Sequence, residues 1–255
     1  MKIKVLGCSG AEFPGSNSPS FLLDDEILFD AGSLTSVLGE RAQMKIKYIF
    51  ITHAHLDHIR SIPFLADNII VRNFYRKVTV ISIPPVLRTI RRHLFNSSVW
   101  PDFTVIPDPT NAILDLRELK TGDTMELNSY RITPYVVSHT VPAVGYFVES
   151  GNSRNFFYTG DTGPTEDTWK KIGRKEIHVL IIDVSFPNDL EDLAVRTGHL
   201  TPGLLKVELS RMQVPPSHIF VTHPKPQHLK QIRKELRALG MRNIEVLKDG
   251  QVIPV

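Results

Sequence analysis

The chain has 255 residues, 42% of them hydrophobic and 22% charged, with a formal net charge of +3. That composition supports a substantial core, in one large domain over 1–255 or in two small ones, and excludes a disordered chain, while the charge is too slight for a dedicated nucleic-acid binder. Cys8 is the only cysteine, so no intramolecular disulfide and no thiolate metal site can form, and a reducing cytoplasm is the expected compartment.

Strand and helix patterns alternate along the chain without a low-complexity linker, and no apolar stretch reaches the length of a membrane span. Residues 2–6 read as a strand; only four residues, with no apolar leader, precede Val5-Leu6-Gly7-Cys8, which therefore does not make a lipoprotein signal. A small, polar, Pro/Gly-rich loop over 7–20 can bring backbone close to a ligand, and strands follow at 21–23 and 27–30. The apolar run 48–52 leads into His53-Ala54-His55-Leu56-Asp57-His58. Helices are expected over 87–95, from Thr165 into Ile172, over 201–210 and over 228–239. The last of these carries an apolar stripe of Leu229, Ile232, Leu236 and Leu239 under a solvated basic face of Lys230, Arg233, Lys234 and Arg237. Thr201 before Pro202 is an N-cap with proline at the first helical position.

The His53–His58 segment is the centre of the reading. Three imidazoles and one carboxylate in six positions supply nitrogen and hard oxygen donors, a mix that suits zinc or a similar transition metal rather than calcium or magnesium. In an extended chain His53 and His55 project to one side and can chelate a single ion. Asp57 and His58 fall where the chain turns into a helix and can serve a neighbouring ion.

Ile49-Phe50-Ile51-Thr52-His53 recurs as Ile219-Phe220-Val221-Thr222-His223, which suggests two similar halves meeting at a shared site and makes His223 a ligand from the second half. His139 ends the strand-like Tyr135-Val136-Val137-Ser138, and Asp161 ends Phe156-Phe157-Tyr158-Thr159-Gly160, so both are candidates at strand ends. His218 and His228 have no such setting and are expected at the surface. Gly198-His199-Leu200-Thr201 puts a further histidine beside a helix N-terminus, where a phosphate oxygen or a leaving alkoxide can be met.

The order His53-x-His55-x-Asp57-His58, then His139, Asp161 and His223, resembles the metallo-β-lactamase superfamily over nearly the whole chain. The resemblance implies an α+β fold, a four-layer αββα sandwich with a dinuclear site at its edge. It implies one ion on His53, His55 and His139, a second on Asp57, His58 and His223, and Asp161 bridging both. The ions expected are two divalent metals, zinc first, with manganese or iron as alternatives.

Gly198-His199-Leu200-Thr201 is similar to a motif of the phosphodiesterase and tRNase Z branches, with Asp183 where those branches carry an acidic partner for the histidine. The stretch from His53 to Ile62, Phe95-Asn96 with Val99-Trp100-Pro101-Asp102-Phe103, and Ser185-Phe186-Pro187-Asn188 resemble the class II cyclic-nucleotide phosphodiesterases and their bacterial relatives. Pro63-Phe64 and Ala66-Asp67 depart from that signature. The resemblance implies attack by a metal-bridging hydroxide on a 3′,5′-cyclic nucleotide such as cyclic AMP or cyclic GMP, giving the 5′-nucleotide.

In that scheme Asp57 orients the nucleophile and His199 serves as acid. Asp30, Thr140 and Asp183 support the ligand imidazoles or His199, and Phe95, Trp100 and Phe186 are candidate stacking surfaces for the base. The partners expected are a small cyclic nucleotide and a second copy in a homodimer, with no stable nucleic-acid partner and no membrane. The alternatives are a tRNase Z-like ribonuclease and a cyclic-dinucleotide phosphodiesterase. Against the ribonuclease, His139 to Asp161 leaves no room for the protruding substrate arm such nucleases carry there. Redox variants of the scaffold replace the first-half histidines with carboxylates, which this chain does not do.

Overall fold

The computed structural model describes residues 1–72, 76–151 and 154–255. The described strands are β1 (Lys2–Gly7), β2 (Ser20–Leu23), β3 (Ile27–Phe29), β4 (Tyr48–Phe50), β5 (Val78–Ser82), β6 (Leu114–Glu118), β7 (Met125–Leu127), β8 (Tyr130–Val136), β9 (Val144–Ser150), β10 (Asn155–Tyr158), β11 (Val179–Asp183), β12 (His218–Thr222), β13 (Ile244–Val246) and β14 (Val252–Pro254). The helices are α1 (Leu34–Val37), α2 (Glu40–Gln43), α3 (Leu56–Ile59), α4 (Ser61–Val71), α5 (Pro84–His93), α6 (Glu166–Ile172), α7 (Glu191–Thr197), α8 (Pro202–Arg211) and α9 (Leu229–Ala238).

The strands form two seven-stranded mixed sheets, ordered β14-β1-β2-β3-β4-β5-β6 and β13-β12-β11-β10-β9-β8-β7. In each, one part is antiparallel and the other is parallel: β3 to β6 in the first sheet, β10 to β13 in the second. Strands that run parallel put their carboxyl ends on one edge, which is where open sheets of this kind present ligand-binding residues. β8 has the same direction as β10, with β9 reversed between them, so it delivers its chain to the same edge.

Alternation along the buried strands explains the layering. On β10, Phe156 and Tyr158 face the other sheet while Phe157 faces outward, and on β11 Val179 and Ile181 face inward while Leu180 and Ile182 face outward. Strands covered on both faces read as continuous apolar runs, as β11 does. Between the sheets the contacts are aromatic: Phe29 meets Phe156 edge-on with ring centroids 5.5 Å apart, and Phe50 meets Tyr146 at 5.3 Å. Burying each such ring contributes about 1.5–3 kcal/mol. Trp169 and Ile172 of α6, Leu205 of α8, and Ile232 and Leu236 of α9 cover the second sheet, while Leu34 of α1, Leu65 and Ile69 of α4, and Val86, Leu87 and Ile90 of α5 cover the first. The result is the expected α+β sandwich of two sheets flanked by helices.

Two local expectations shift. The helix expected over 87–95 is α5, which begins earlier because Pro84 supplies the fixed φ of a first turn, and ends at His93. Strand β3 stops at Phe29 because Asp30 turns into the left-handed region at φ 56°, aiming its carboxylate under the neighbouring strand rather than along its own.

Candidate metal centre

Each candidate ligand leaves the fold at the shared edge. The chain runs from β4 through Ile51 and Thr52 to His53 and His55, and α3 carries Asp57 and His58. His139 follows β8, Asp161 follows β10, and His223 follows β12 with a left-handed backbone at φ 64°. The echoed pentapeptides therefore lie in different sheets, and their terminal histidines converge on one carboxylate: Asp161 Oδ2 is 3.7 Å from His53 Nε2 and 3.3 Å from His223 Nε2.

His53 Nε2 and His139 Nε2 lie 3.1 Å and 3.2 Å from His55 Nδ1. On the other side His58 Nε2 is 3.4 Å from Asp161 Oδ1 and 3.8 Å from Asp57 Oδ2, and His223 Nε2 is 3.4 Å from Asp57 Oδ2. His53, His55, His139 and Asp161 make one group able to hold a metal ion, and Asp57, His58 and His223 a second. A tetrahedral ion with nitrogen donors at 2.0–2.1 Å needs its donors about 3.3–3.4 Å apart. The observed spacings bracket that distance.

Asp161 faces both groups, Oδ2 towards His53 and Oδ1 towards His58. His58 Nε2 is buried with no hydrogen-bond partner, although its Nδ1 is bonded to Asp30. A buried lone pair aimed at carboxylate oxygens is expensive unless a proton or a metal cation lies between them.

The electrostatics agree. Burial, reinforced by the neighbouring imidazoles, holds His53 well below and His55 below the ordinary histidine range. Burial also lowers His139, with Asp161 opposing it. These rings are neutral and present lone pairs. At His58 burial works against charge, yet Asp161 and Asp30 outweigh it and raise the imidazole well above its usual range. Burial likewise opposes ionisation of Asp161 and Asp57, but His223 and His58 hold both carboxyls below the usual range. Without a cation a proton on His58 balances the buried carboxylates; a cation would replace it.

The supporting contacts are equally specific. Asp30, fully buried, accepts from His58 Nδ1 at 2.8 Å, from the Thr52 backbone N–H at 2.8 Å and from the Tyr158 hydroxyl at 2.7 Å. His139 Nδ1 donates to the Gly198 carbonyl at 2.8 Å, and only glycine fits there, because a Cβ at position 198 would lie 2.7 Å from that nitrogen. His199 Nδ1 donates to Asp183 Oδ2 at 2.7 Å, so the shorter aspartate does reach the histidine. Burial opposes a charge on His199, but Asp183 outweighs it and raises the imidazole. Ligand-capable atoms of His199, Asp161 and His223 lie within 4.8 Å of one another, which places His199 at the edge of the cluster.

Three sequence expectations change. Phe95 cannot stack on a base, because its ring is 1% exposed and packed in the core under α5. Thr140 is exposed and makes no side-chain hydrogen bond among the described residues; Thr52 instead approaches His53 Nδ1 at 3.0 Å while bonding Asp30. His228 is half-buried, with its ring 6.4 Å from Phe186, rather than at the surface as His218 is. Phe186 is buried against His199 at 5.8 Å, and Trp100 is partly buried against the half-exposed Phe64 at 5.2 Å. Tyr158 has no role in the sequence reading, and Ser185 enters it only within the Ser185-Phe186-Pro187-Asn188 resemblance. Tyr158 lies 128 residues from Asp30 and carries no local signal, whereas Ser185 is legible as the second residue after Asp183 at the end of β11.

Residues 26–223 match the family model described as "Beta-lactamase superfamily domain", and the chain belongs to that superfamily. A Yersinia pestis protein named "Probable 3',5'-cyclic-nucleotide phosphodiesterase" is 31% identical over 188 residues, covering 67% of this chain and 52% of that protein, so the chain spans about half its length. A "Ribonuclease Z" of Archaeoglobus fulgidus is 25% identical over 257 residues, covering 78% of this chain and 80% of the relative. Among solved structures, unliganded yeast PDE1 has a TM-score of 0.84 at 19% identity over 98% of each chain, and the short form of human tRNase Z a TM-score of 0.71 at 20% identity, over 100% of this chain and 99% of that one. These two likenesses are of fold.

Proposed function

We propose that the chain is a metal-dependent phosphodiesterase that opens a 3′,5′-cyclic nucleotide to the 5′-nucleotide. The observation that carries the reading is the buried His199–Asp183 pair, whose histidine is grouped with Asp161 of one candidate ligand set and His223 of the other. His53, His55 and His139 would hold one ion and Asp57, His58 and His223 the other, with Asp161 between them. Two divalent cations, zinc first, supply activation of water at neutral pH and charge neutralisation on phosphoryl oxygens.

The chain's own residues do the rest. Asp57, ionised and with 36% of its side chain exposed, accepts a hydrogen bond from the incoming water and orients it. His199 spends Nδ1 on Asp183, so Nε2 is the ring atom left to donate a proton to the departing O3′. Asp183 raises the imidazole against the opposing effect of burial, which favours the protonated ring that an acid needs. Trp100 and Phe64 offer a partly exposed aromatic pair for the base.

A ribonuclease reading is favoured by the relatives named ribonuclease Z, one of which is matched over 80% of its length. Against it, the interval from His139 to Asp161 is largely occupied by β9 and β10, leaving no insertion for a substrate arm. Metal-quantified protein should be compared on cyclic AMP, cyclic GMP, cyclic dinucleotides and precursor tRNA. Cyclic mononucleotides should be turned over best, and Trp100→Ala should change base preference while sparing a small generic phosphodiester. Efficient 3′-end cleavage of precursor tRNA with negligible hydrolysis of any cyclic nucleotide would replace this reading with the ribonuclease.

A further inference from the structure

Ser185, fully buried just beyond β11, has no part in the scheme above, yet its hydroxyl touches Asp183, His199 and His223 together. Its Oγ lies 2.7 Å from Asp183 Oδ1, 2.8 Å from His223 Nδ1, 2.9 Å from the His223 carbonyl and 3.2 Å from His199 Nδ1. A hydroxyl has one proton to give. The short contact to a carboxylate takes it, because hydrogen bonds to an ionised acceptor are the stronger ones. Oγ then accepts from His223 Nδ1–H, while His199 Nδ1–H takes the other oxygen of Asp183 at 2.7 Å. This assignment satisfies every donor and leaves His223 with its lone pair on Nε2, the atom that faces Asp57 and Asp161.

The first half of the chain repeats the arrangement. Thr52 Oγ1 is 2.9 Å from Asp30 Oδ2 and 3.0 Å from His53 Nδ1, and Asp30 is bonded directly to His58. In both halves a buried aspartate at the end of a parallel strand grips one histidine directly and reaches the histidine of the adjacent strand through a hydroxyl. Histidine 53 corresponds to histidine 223, and His58 corresponds to His199.

From this correspondence we propose that Ser185 is a positioning residue that fixes the Nδ1–H tautomer of His223 and ties the metal centre to the His199–Asp183 pair through one continuous hydrogen-bond chain. The proposal rests on the metal-centre reading. Removing the hydroxyl leaves His223 Nδ1 without its acceptor and frees the ring to turn or to carry its proton on Nε2, where it cannot ligate. Contacts of this kind to a ligand histidine are worth roughly 10–100-fold in metal affinity.

The test is a cobalt(II) titration of metal-stripped full-length protein, with bound ion counted by elemental analysis and folding followed by circular dichroism. Ser185→Ala should bind one equivalent as the wild type does and the second roughly 10–100-fold more weakly. Ser185→Thr, which keeps a hydroxyl, should recover affinity. Thr168→Val, which deletes a buried hydroxyl bonded to Thr165 and the Val136 carbonyl and to no candidate ligand, should change stability and not metal affinity. Folded Ser185→Ala with wild-type affinity for both equivalents would overturn the proposal, as would an equal loss in Thr168→Val. Failure of the wild type to bind cobalt, or to cleave any phosphodiester when loaded, would instead overturn the functional reading beneath it.

Discussion

Replacing Asp30 by asparagine changes one atom of a fully buried side chain and should weaken one metal position by a predictable amount. Asp30 Oδ1 accepts from the Thr52 backbone N–H and Oδ2 from His58 Nδ1 and the Tyr158 hydroxyl. The Thr52 N–H belongs to the backbone just past β4 and can only donate, so the asparagine oxygen stays with it and the amide nitrogen meets His58. Tyr158 can rotate its hydroxyl to accept. His58 can accept at Nδ1 only by moving its proton to Nε2, the atom that lies 3.4 Å from Asp161 Oδ1 and faces the cluster. Restoring a lone pair there sets two donors face to face, at a cost of about 1–3 kcal/mol. That is roughly 5- to 150-fold in affinity for one ion, at 1.4 kcal/mol per tenfold. Cobalt(II) titration of stripped protein reads the loss, and urea unfolding verifies that the variant is folded. A folded Asp30→Asn protein that binds both equivalents as tightly as the wild type would refute the tautomer argument.

Asp161→Ala should lower occupancy of both positions, because its Oδ2 lies between His53 of one group and His223 of the other; full metal content by elemental analysis would argue against a shared ligand. His199→Ala should keep its ions and lose roughly 10²–10⁴-fold in turnover, and wild-type turnover would reduce His199 to a helix-flanking residue. Metal uptake should release about one proton from His58. The sign follows from its raised pKa: the proton stabilises the ion-free fold below the ordinary histidine value and is lost as pH rises through the raised one, so affinity should climb with pH across that window. Calorimetry in two buffers of different ionisation enthalpy measures the release, and a value of zero would contradict the charge balance assigned to Asp30, Asp161 and His58.

The site was more legible than the fold around it, for physical reasons. Metal ligands need particular atoms, so His53, His55, Asp57 and His58 announce themselves locally, and the Thr-His echo exposes His223. The strands β5, β6, β7, β9, β13 and β14 were not anticipated: β7, β13 and β14 have three residues each, and such short strands are stabilised by pairing rather than by their own pattern. Helix α4 was missed because Pro63 falls in its first turn, where proline is tolerated, and its apolar residues run nearly all round. Phe95 was misassigned because an aromatic near a tryptophan looks the same in sequence whether it lines a cleft or fills a core. Thr52 was invisible as a support of Asp30 because it depends on the pairing of β3 with β4, and Tyr158 because its role exists only once the two sheets meet.

That meeting has a consequence for how the protein matures. His53 hangs from one sheet and His223 from the other, and the carboxylate between them belongs to the second. Neither half alone presents more than part of a donor set, so ions cannot template the folding of an isolated half. The sandwich must close before the cluster exists. Once bound, an ion would clamp the two sheets at that rim, adding about 4 kcal/mol at a free concentration a thousand times its dissociation constant. A chelator would then loosen the rim first, while the aromatic seam of Phe29, Phe50, Tyr146 and Phe156 still holds the interior shut.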